Sequence, residues 1–420
     1  MRKILFHFTL LLTVVMILAG CSKDDPIIYT GNDAETSSVI IMYLPWTGNA
    51  SGSNEGLYSA LADNAIALEQ GIKQTGGIPQ GQKVMVFISK SPTSSELYQL
   101  VTKEGVVEKI PVNKQYSTYD FGTPAGLSSL LKEIKHYTHA TNSTKFGLII
   151  GGHGTGWTQK EIWEEYPTRS TTDRAKRDTQ SSWAPPQFTM TRFMGSVADK
   201  QYALDLNEIA SAIMRAGVKL QYLILDDCYM ANVETAYTFR NATHYLVAST
   251  SEILKEGMPY KIMYPALNPE APSFVGMTKA FATHYNNKRT YALGALSAID
   301  CSKIEALAEE MKVLNGKYKV SAEEASNIQI LGGFNPTIFF DMLSYVKHMN
   351  PTVAELSSFK AKLQEAVITS TCTPTVYSAI YGRGNFIPIA ENCGLTISDP
   401  TTHPTALKGL QHTEWWGATH

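Results

Sequence analysis

The chain has 420 residues, of which 18% are charged and 44% hydrophobic, so a folded core is expected and long disorder is excluded. Its 36 basic residues against 38 acidic residues leave a formal net charge of −2. This balance does not favour nucleic-acid binding, because a phosphate backbone calls for a basic surface. The sequence contains no C-x-x-C or H-E-x-x-H spacing, so no familiar ligand motif indicates a metal and the metal content is left unknown.

The first 20 residues are similar to a bacterial lipoprotein signal peptide. Two basic residues precede an apolar run over 4–18, and small residues then lead to Cys21. The run is shorter than the ~20 apolar residues of a spanning helix, and a small-residue exit is typical of a cleavage site. We therefore predict a signal peptide over 1–20, a palmitate-type lipid on Cys21 and a polar tether over 21–36. The expected location is the cell envelope, lipid-anchored at the outer membrane of a diderm bacterium and exposed at its surface.

Beyond the tether, strand-like and helix-like patterns alternate along the chain. Thr123 and Pro124 open one helix with a capping side chain and a proline in the first turn. Alternation at this spacing predicts an α/β fold with a mainly parallel sheet and helices on both faces. The predicted strands are 38–44, 84–88, 97–101, 106–110, 146–151, 220–225, 245–248 and 394–397, and the predicted helices are 57–72, 124–134, 204–213, 233–239, 303–314 and 335–346.

Two of the predicted strands end in ionisable side chains. The strand over 220–225 continues into Asp226, Asp227 and Cys228, and the strand over 146–151 continues into His153, which has a glycine on each side. The carboxyl ends of parallel strands meet at a cleft, where loops and helix starts gather. A thiol and an imidazole at two such ends predict a cysteine nucleophile and its proton acceptor, rather than a small core cysteine and a structural histidine.

Strand alternation places Asp226 on the same side as Cys228 and Asp227 on the opposite side. Asp227 is therefore better suited to a structural or calcium-binding role than to catalysis. Because a nearby carboxylate raises a thiol pKa, we interpret Asp226 as the partner of a basic substrate side chain, with a helix-capping role as the alternative. A helix beginning directly after Cys228 would favour the thiolate, and the backbone amides of Gly154 and Cys228 are expected to donate to an oxyanion.

These motifs together resemble the clostripain family of cysteine peptidases, whose clan includes caspases, legumains and gingipains. The resemblance is carried by His153-Gly154 after an apolar strand and by the Asp-x-Cys-x-Met run over 226–230. The run over 247–260 is similar to the family's specificity loop. With weaker cues near 297–300 and 394–397, the resemblance covers roughly residues 37–420. Asp227 departs from the family pattern, in which a small residue is usual at that position.

The resemblance implies a caspase-like three-layer α/β sandwich and an endopeptidase that cleaves proteins or peptides after Arg or Lys. It implies that Cys228 is the nucleophile, His153 the general base and Asp226 the substrate-binding residue. The catalytic domain is expected over 37–300, with 301–420 packed on the same domain. The sequence requires no cofactor, and the resemblance allows calcium.

A polar segment without clear periodicity runs from 159 to about 200. Segments of this length that lack secondary structure are usually functional or disordered. A protease that cleaves after basic residues would find substrate here, which gives the hypothesis of self-processing; the simpler interpretation is a solvated loop. The four basic residues concerned are Arg169, Arg174, Lys176 and Arg177.

The cysteines outside these roles leave one pairing open. Cys372 and Cys393 both lie in the C-terminal part, and a protein outside the cytoplasm can form a disulfide. The spacing alone does not decide whether they are joined.

Two functions from different classes are consistent with the sequence. One is a lipid-anchored cysteine endopeptidase that uses Cys228 and His153. The other is a catalytically silent surface lipoprotein of the same fold that binds peptides or glycans. Both residues of the dyad are present, which favours the first.

Overall fold

The structure, a computed structural model, describes residues 35–420 except 117–121, 161–193, 197–198, 287–292, 333–336, 379–385 and 400–407. The strands within these residues are β1 (Ser38–Leu44), β2 (Gln82–Ser91), β3 (Ser94–Lys103), β4 (Val106–Tyr116), β5 (Lys145–Gly151), β6 (Met194–Gly195), β7 (Ala203–Leu204), β8 (Leu220–Asp226), β9 (Thr243–Ala248), β10 (Ala295–Asp300), β11 (Phe340–Asp341), β12 (Val367–Cys372), β13 (Thr375–Tyr377), β14 (Phe386–Pro388) and β15 (Thr396–Ile397).

Nine of these strands form one sheet in the order β12-β10-β9-β8-β5-β1-β2-β3-β4. The five central strands, from β9 to β2, are parallel to one another. Antiparallel pairs extend the sheet on both sides, through β3 and β4 at one edge and β10 and β12 at the other. The predicted mainly parallel sheet is confirmed.

Helices cover both faces of this sheet. All seven residues of β1 are buried, and alternate side chains join two separate hydrophobic clusters, one on each face. The helices are α1 (Tyr58–Gln74), α2 (Pro124–Tyr137), α3 (Leu206–Arg215), α4 (Val233–Phe239), α5 (Tyr260–Met263), α6 (Phe274–Asn286), α7 (Ile304–Lys317), α8 (Ala322–Ala325), α9 (Met342–His348), α10 (Val353–Ala366) and α11 (Glu414–Thr419). The cluster that contains Ile40 is covered by α1, α5 and α6, and the cluster that contains Ile41 is covered by helices that include α2, α3, α7 and α10.

Most predicted elements form at the positions expected from local signals. The predicted cap at Thr123 is confirmed, because its side chain accepts a hydrogen bond from the Gly126 amide at 3.0 Å. The predicted strands over 97–101 and 106–110 pair with each other as the β3–β4 hairpin. The chain from 33 to 420 is one compact unit, and β12 from its C-terminal part pairs with β10 in the main sheet.

The predicted helix over 335–346 was wrong at its beginning. Phe340 and Asp341 instead pair with Ile397 and Thr396 as a two-stranded sheet. The Asp341 side chain then accepts from the Ser344 amide at 2.9 Å, so α9 begins only at Met342. The late strand predicted over 394–397 is limited to β15. The helical spacing of the apolar residues did not reveal this pairing, because it joins segments more than 50 residues apart.

The disulfide considered for Cys372 and Cys393 is not formed. Both residues are free thiols, as are Cys228 and Cys301. The Cys372 thiol donates to the carbonyl of Thr373 at 3.3 Å, and the Cys393 thiol donates to the carbonyl of Leu395 at 3.1 Å. Each sulfur is therefore hydrogen-bonded to its own local backbone.

The predicted signal peptide and nearly all of the predicted tether lie outside the described residues. Among the helices that are described, none is both long enough and apolar enough to cross a membrane.

Candidate active site

The site lies where β5 and β8 end, side by side. These neighbouring strands are parallel, and their register pairs run up to Gly151 opposite Asp226. His153 and Cys228 each lie two residues beyond that pair. Because neighbouring strands are about 4.8 Å apart, the two residues follow adjacent strand ends on the same carboxyl edge of the sheet.

The backbone around His153 is held from two sides. His153 and Gly195 exchange two backbone hydrogen bonds, at 3.4 and 3.2 Å, which anchor the residue against β6. A Cβ atom at Gly154 would lie 2.4 Å from Cβ of Asp227 and 2.8 Å from the carbonyl oxygen of Cys228. Glycine therefore allows this loop to pack directly on the segment that carries the thiol.

Burial lowers the pKa of His153 to about 4. The imidazole is therefore neutral at neutral pH, and one of its ring nitrogens has a lone pair that can accept a proton. His153 itself is only half-buried, so a reacting group can approach it.

The Cys228 sulfur lies against the backbone of Ile253. The Ile253 amide donates to Sγ at 3.3 Å, and Sγ lies 3.6 Å from the Ile253 carbonyl oxygen. Burial, and next the charge of Glu252, raise the pKa of the Cys228 thiol well above its usual value, while the Ile253 amide opposes them. In the free protein the thiol is thus protonated at neutral pH.

In the described chain no helix begins directly after Cys228, and the next helix is the one predicted over 233–239. Tyr229 has a φ of +61°, and α4 begins only at Val233, with Asn232 as its cap. The turn arises because the Tyr229 amide donates to the Ser251 carbonyl at 3.0 Å, which extends the pairing beyond the sheet. The positive end of a helix therefore does not begin at the sulfur, and the thiolate gains no stabilisation of the kind considered for a helix at that position.

Asp226 has two oxygens in different surroundings. Its Oδ2 accepts from the Tyr260 hydroxyl at 2.7 Å, from the Met258 amide at 3.1 Å and from Asn64 Nδ2 at 3.5 Å. Its Oδ1 is buried and has no hydrogen-bonding partner among the described residues. Burial raises the pKa of Asp226 to about 6, against the effect of the Tyr260 and Met258 hydrogen bonds. The carboxylate is therefore ionised near pH 7 with one oxygen available.

Asp227 lies on the opposite face, as strand alternation predicts. It is 1% exposed, and its Cβ is directed at Gly154 rather than towards Tyr260. Neither carboxylate oxygen forms a hydrogen bond of ordinary geometry with the described residues. Burial and next the charge of Asp226 raise the pKa of Asp227 well above its usual value, with the Gly152 amide opposing them. Asp227 is thus a buried acid that ionises with difficulty.

Tyr229, Glu252 and Ser378, to which the sequence analysis gave no role of their own, are hydrogen-bonded to one another beside the thiol. Glu252 Oε1 accepts from the Tyr229 hydroxyl at 2.6 Å and from Ser378 Oγ at 2.8 Å. The Tyr229 ring also stacks on Phe339, with centroids 5.0 Å apart. Sequence spacing gave no signal for Ser378, which lies 149 residues beyond Tyr229. Tyr260 and Glu252, in contrast, lie within the run over 247–260 that resembles a specificity loop.

The remaining sequence-predicted residues divide into two groups. Among the described residues, no group accepts a hydrogen bond from the amide of Gly154 or of Cys228, so both are available to a ligand. The four basic residues of the long polar segment lie within 161–193, outside the described residues.

We also tested whether the described side chains could hold a metal such as calcium. They contain no group of three or more His, Cys, Asp or Glu that is arranged for this. Asp226 and Asp227 are adjacent in sequence but lie on opposite faces, so they do not form a shared ligand pair. No chemical step is therefore assigned to a metal.

Comparison with known proteins places the fold. The model of the clostripain family matches residues 181–394, just over half of the 420-residue chain, and the matched range contains Asp226 and Cys228. No curated protein sequence matches the chain.

Three solved structures are similar. A secreted C11 cysteine protease of Bacteroides thetaiotaomicron, "iotapain", is 29% identical with a TM-score of 0.78, covering 92% of this chain and 100% of its own. An inactive zymogen C11 protease of Parabacteroides distasonis is 22% identical with a TM-score of 0.73, covering 93% and 99%. A clostripain of B. thetaiotaomicron, in complex with the peptide inhibitor BTN-VLTK-AOMK, is 35% identical with a TM-score of 0.50, covering 53% and 97%. The predicted α/β fold is thereby confirmed, and the chain belongs to the clostripain family of C11 cysteine proteases.

Proposed function

We propose that the protein is a cysteine endopeptidase in which Cys228 is the nucleophile and His153 the general base, and that it cleaves after Lys or Arg. One observation carries the proposal: the two residues follow the register pair Gly151–Asp226 at the ends of neighbouring parallel strands. The family of the chain supports the same chemistry.

The chemistry begins from a neutral pair. The raised pKa of the thiol and the lowered pKa of the imidazole oppose proton transfer in the free protein, so His153 takes the Sγ proton only as sulfur attacks the scissile carbonyl carbon. The oxyanion of the tetrahedral intermediate accepts hydrogen bonds from the free amides of Gly154 and Cys228. Collapse breaks the C–N bond, and the leaving amine takes the proton from the imidazolium. Water then hydrolyses the thioester, releases the acid and returns the proton to Cys228.

Asp226 supplies the preference for a basic side chain. Its buried Oδ1 lacks a partner within the described residues, and a substrate cation would supply one. An unpaired buried charge is costly, so a cation that completes the pair is bound selectively. The similar clostripain structure holds a peptide inhibitor, BTN-VLTK-AOMK, whose peptide part ends in Lys, which is consistent with such a site.

The experiment is hydrolysis of fluorogenic peptides with Lys or Arg before the cut bond, under reducing conditions. Cys228→Ala and His153→Ala should each abolish turnover, and Cys301→Ala, which changes a buried thiol in the core cluster, should retain it. Parallel assays with calcium and with a chelator test the metal that the family resemblance allows. If the wild-type protein binds these peptides without cleaving them in any buffer, the silent binding lipoprotein is the correct function.

Self-processing within 159–200 is part of the proposal. Its support is chemical, because Arg169, Arg174, Lys176 and Arg177 are the side chains that this protease would recognise. Intact-mass spectrometry of wild-type protein and of Cys228→Ala after long incubation tests it. Identical masses would rule it out, and cleavage of Cys228→Ala by added wild-type protein would show that one molecule processes another.

The lipid anchor is likewise proposed, on the pattern of residues 1–21. Cells fed an alkyne fatty acid should label the wild-type protein, and Cys21→Ala should not be labelled. Protease accessibility on intact cells then distinguishes the outer surface from the inner leaflet. Equal labelling of both proteins would disprove lipidation at Cys21.

A further inference from the structure

We infer that the Asp226 site accepts an ammonium rather than a guanidinium, so that the protein cleaves after Lys in clear preference to Arg. The inference rests on the proposed function and goes beyond it, since a carboxylate alone does not distinguish the two cations. The distinction comes from how many acceptor positions Asp226 has left, and from whether the carboxylate can turn.

One oxygen of Asp226 is already saturated. A carboxylate oxygen has about two lone-pair sites. Oδ2 receives the Tyr260 hydroxyl at 2.7 Å and the Met258 amide at 3.1 Å, with Asn64 Nδ2 at 3.5 Å as a third donor. Met258 and Tyr260 lie in the segment that leads into and begins α5 and Asn64 lies in α1, so donors from two parts of the fold occupy Oδ2.

The other oxygen is the one available position. Oδ1 has no partner among the described residues, although its residue is only 6% exposed. An ammonium is a compact charge that binds well to a single oxygen. A guanidinium presents a planar fork that is best matched by two free oxygens, and one free oxygen leaves its other buried donors unpaired.

The carboxylate is closely surrounded. A Cβ added at Gly257 would lie 2.7 Å from Oδ2 and 3.1 Å from Oδ1, so only glycine fits here and little space is left for the carboxylate to turn. Gly257 is held in turn by the Tyr285 hydroxyl, which donates to its carbonyl at 2.7 Å. Tyr260 and Tyr285 are both almost fully buried, which holds Gly257 and the Asp226 carboxylate in place.

The test is kcat/KM for two fluorogenic peptides that are identical except for Lys or Arg before the cut bond. Because an unpaired buried donor is costly, we expect Lys to exceed Arg by about tenfold. Equal rates or an Arg preference would overturn the inference while leaving the proposed function in place. Cleavage of neither peptide, in a preparation whose fold is verified by circular dichroism, would overturn both.

Tyr260→Phe tests the cause. It removes the shortest donor to Oδ2 and leaves the ring in place, so the Lys:Arg ratio should fall towards one through a gain for Arg. Tyr264→Phe is the matched control, because this tyrosine is on the same turn but its hydroxyl pairs with Gln82 at 3.4 Å. A Tyr260→Phe protein that folds and retains the wild-type ratio would contradict the assigned cause.

Discussion

The Tyr229 hydroxyl donates a 2.6 Å hydrogen bond to the carboxylate of Glu252, which ties the residue after the thiol to the residue before Ile253. The Ile253 amide contacts the Cys228 sulfur at 3.3 Å, so this one bond joins both elements that hold the sulfur. It also restrains Tyr229 in a left-handed conformation that costs a non-glycine residue about 1–2 kcal/mol. The same carboxylate charge raises the pKa of the thiol. Glu252 therefore helps to position the sulfur but makes the thiolate harder to form.

Glu252→Gln separates these two effects. Glutamine keeps an acceptor for Tyr229 and removes the charge, so the pKa of Cys228 should fall and iodoacetamide alkylation should begin at lower pH. Intact-mass spectrometry of alkylation rates from pH 6 to 10 measures this. Tyr229→Phe removes the hydrogen bond and keeps the charge, and it should not lower the midpoint. Overlapping profiles for wild type and Glu252→Gln would show that Glu252 does not act on the thiol.

Binding of a Lys-containing peptide should weaken on acidification. The pKa of Asp226 is raised to about 6 by burial, so the carboxylate is mostly ionised at pH 7 and mostly protonated at pH 5. Only the ionised form attracts a cation, and the apparent Kd should therefore rise about tenfold between pH 7 and pH 5.

The measurement uses Cys228→Ala, which binds without turnover, and fluorescence anisotropy of a labelled peptide. The same peptide with norleucine in place of Lys is the control, because it shares every contact except the cation. Equal pH dependence of the two peptides would mean that Asp226 does not bind the basic side chain.

Much of the site could be predicted from the sequence because its signals are local. The residues of β5 and β8 are apolar enough to specify buried strands, and parallel strands place their carboxyl ends together. Strand alternation alone separated Asp226 from Asp227, and the structure has them on opposite faces. The fold class follows from the same alternation and is confirmed.

The parts that were missed depend on contacts between distant segments. The turn at Tyr229 forms because its amide pairs with the Ser251 carbonyl, which lies 22 residues further along the chain. Asn64 reaches Asp226 across 162 residues of sequence. Neither contact leaves a periodic pattern near the thiol, so a reading of local spacing could not find them.

Asp227 should make stability depend on pH. Its pKa in the folded protein is raised above the usual value of 3.8, first by burial and then by Asp226. The folded state therefore holds this proton more tightly, and the stabilisation present below pH 3.8 is lost as the pH rises through the folded-state pKa. Asn cannot ionise, so the unfolding free energy of Asp227→Asn minus that of wild type should increase with pH across this window.

Urea unfolding at several pH values between 4 and 8 gives that difference. Its slope with pH is informative even if the amide packs less well, because a packing cost adds the same amount at every pH. The change also removes the charge of Asp227 from beside Asp226. The pKa of Asp226 is itself raised, so the proton that Asp226 binds gives the unfolding free energy a pH dependence of the same sign. Parallel stability curves for the two proteins would contradict a raised pKa at Asp227.

Gly257→Ala should damage the Asp226 site beyond its effect on the backbone. Gly257 has a φ of +65°, where alanine costs about 1–2 kcal/mol. Its new Cβ would also lie 2.6 Å from Asn64 Nδ2 and 2.7 Å from Asp226 Oδ2, so these groups must move apart. Gly76 has a φ of +86° and open space around the position of its Cβ, so Gly76→Ala carries the conformational cost alone.

Urea unfolding should show a lower unfolding free energy in both proteins and a larger decrease in Gly257→Ala. The kcat/KM for Lys peptides should fall at least about tenfold in Gly257→Ala only, because about 1.4 kcal/mol of lost transition-state binding corresponds to that factor. A wild-type kcat/KM in Gly257→Ala would mean that substrate recognition does not depend on the close packing of Gly257 against Asp226.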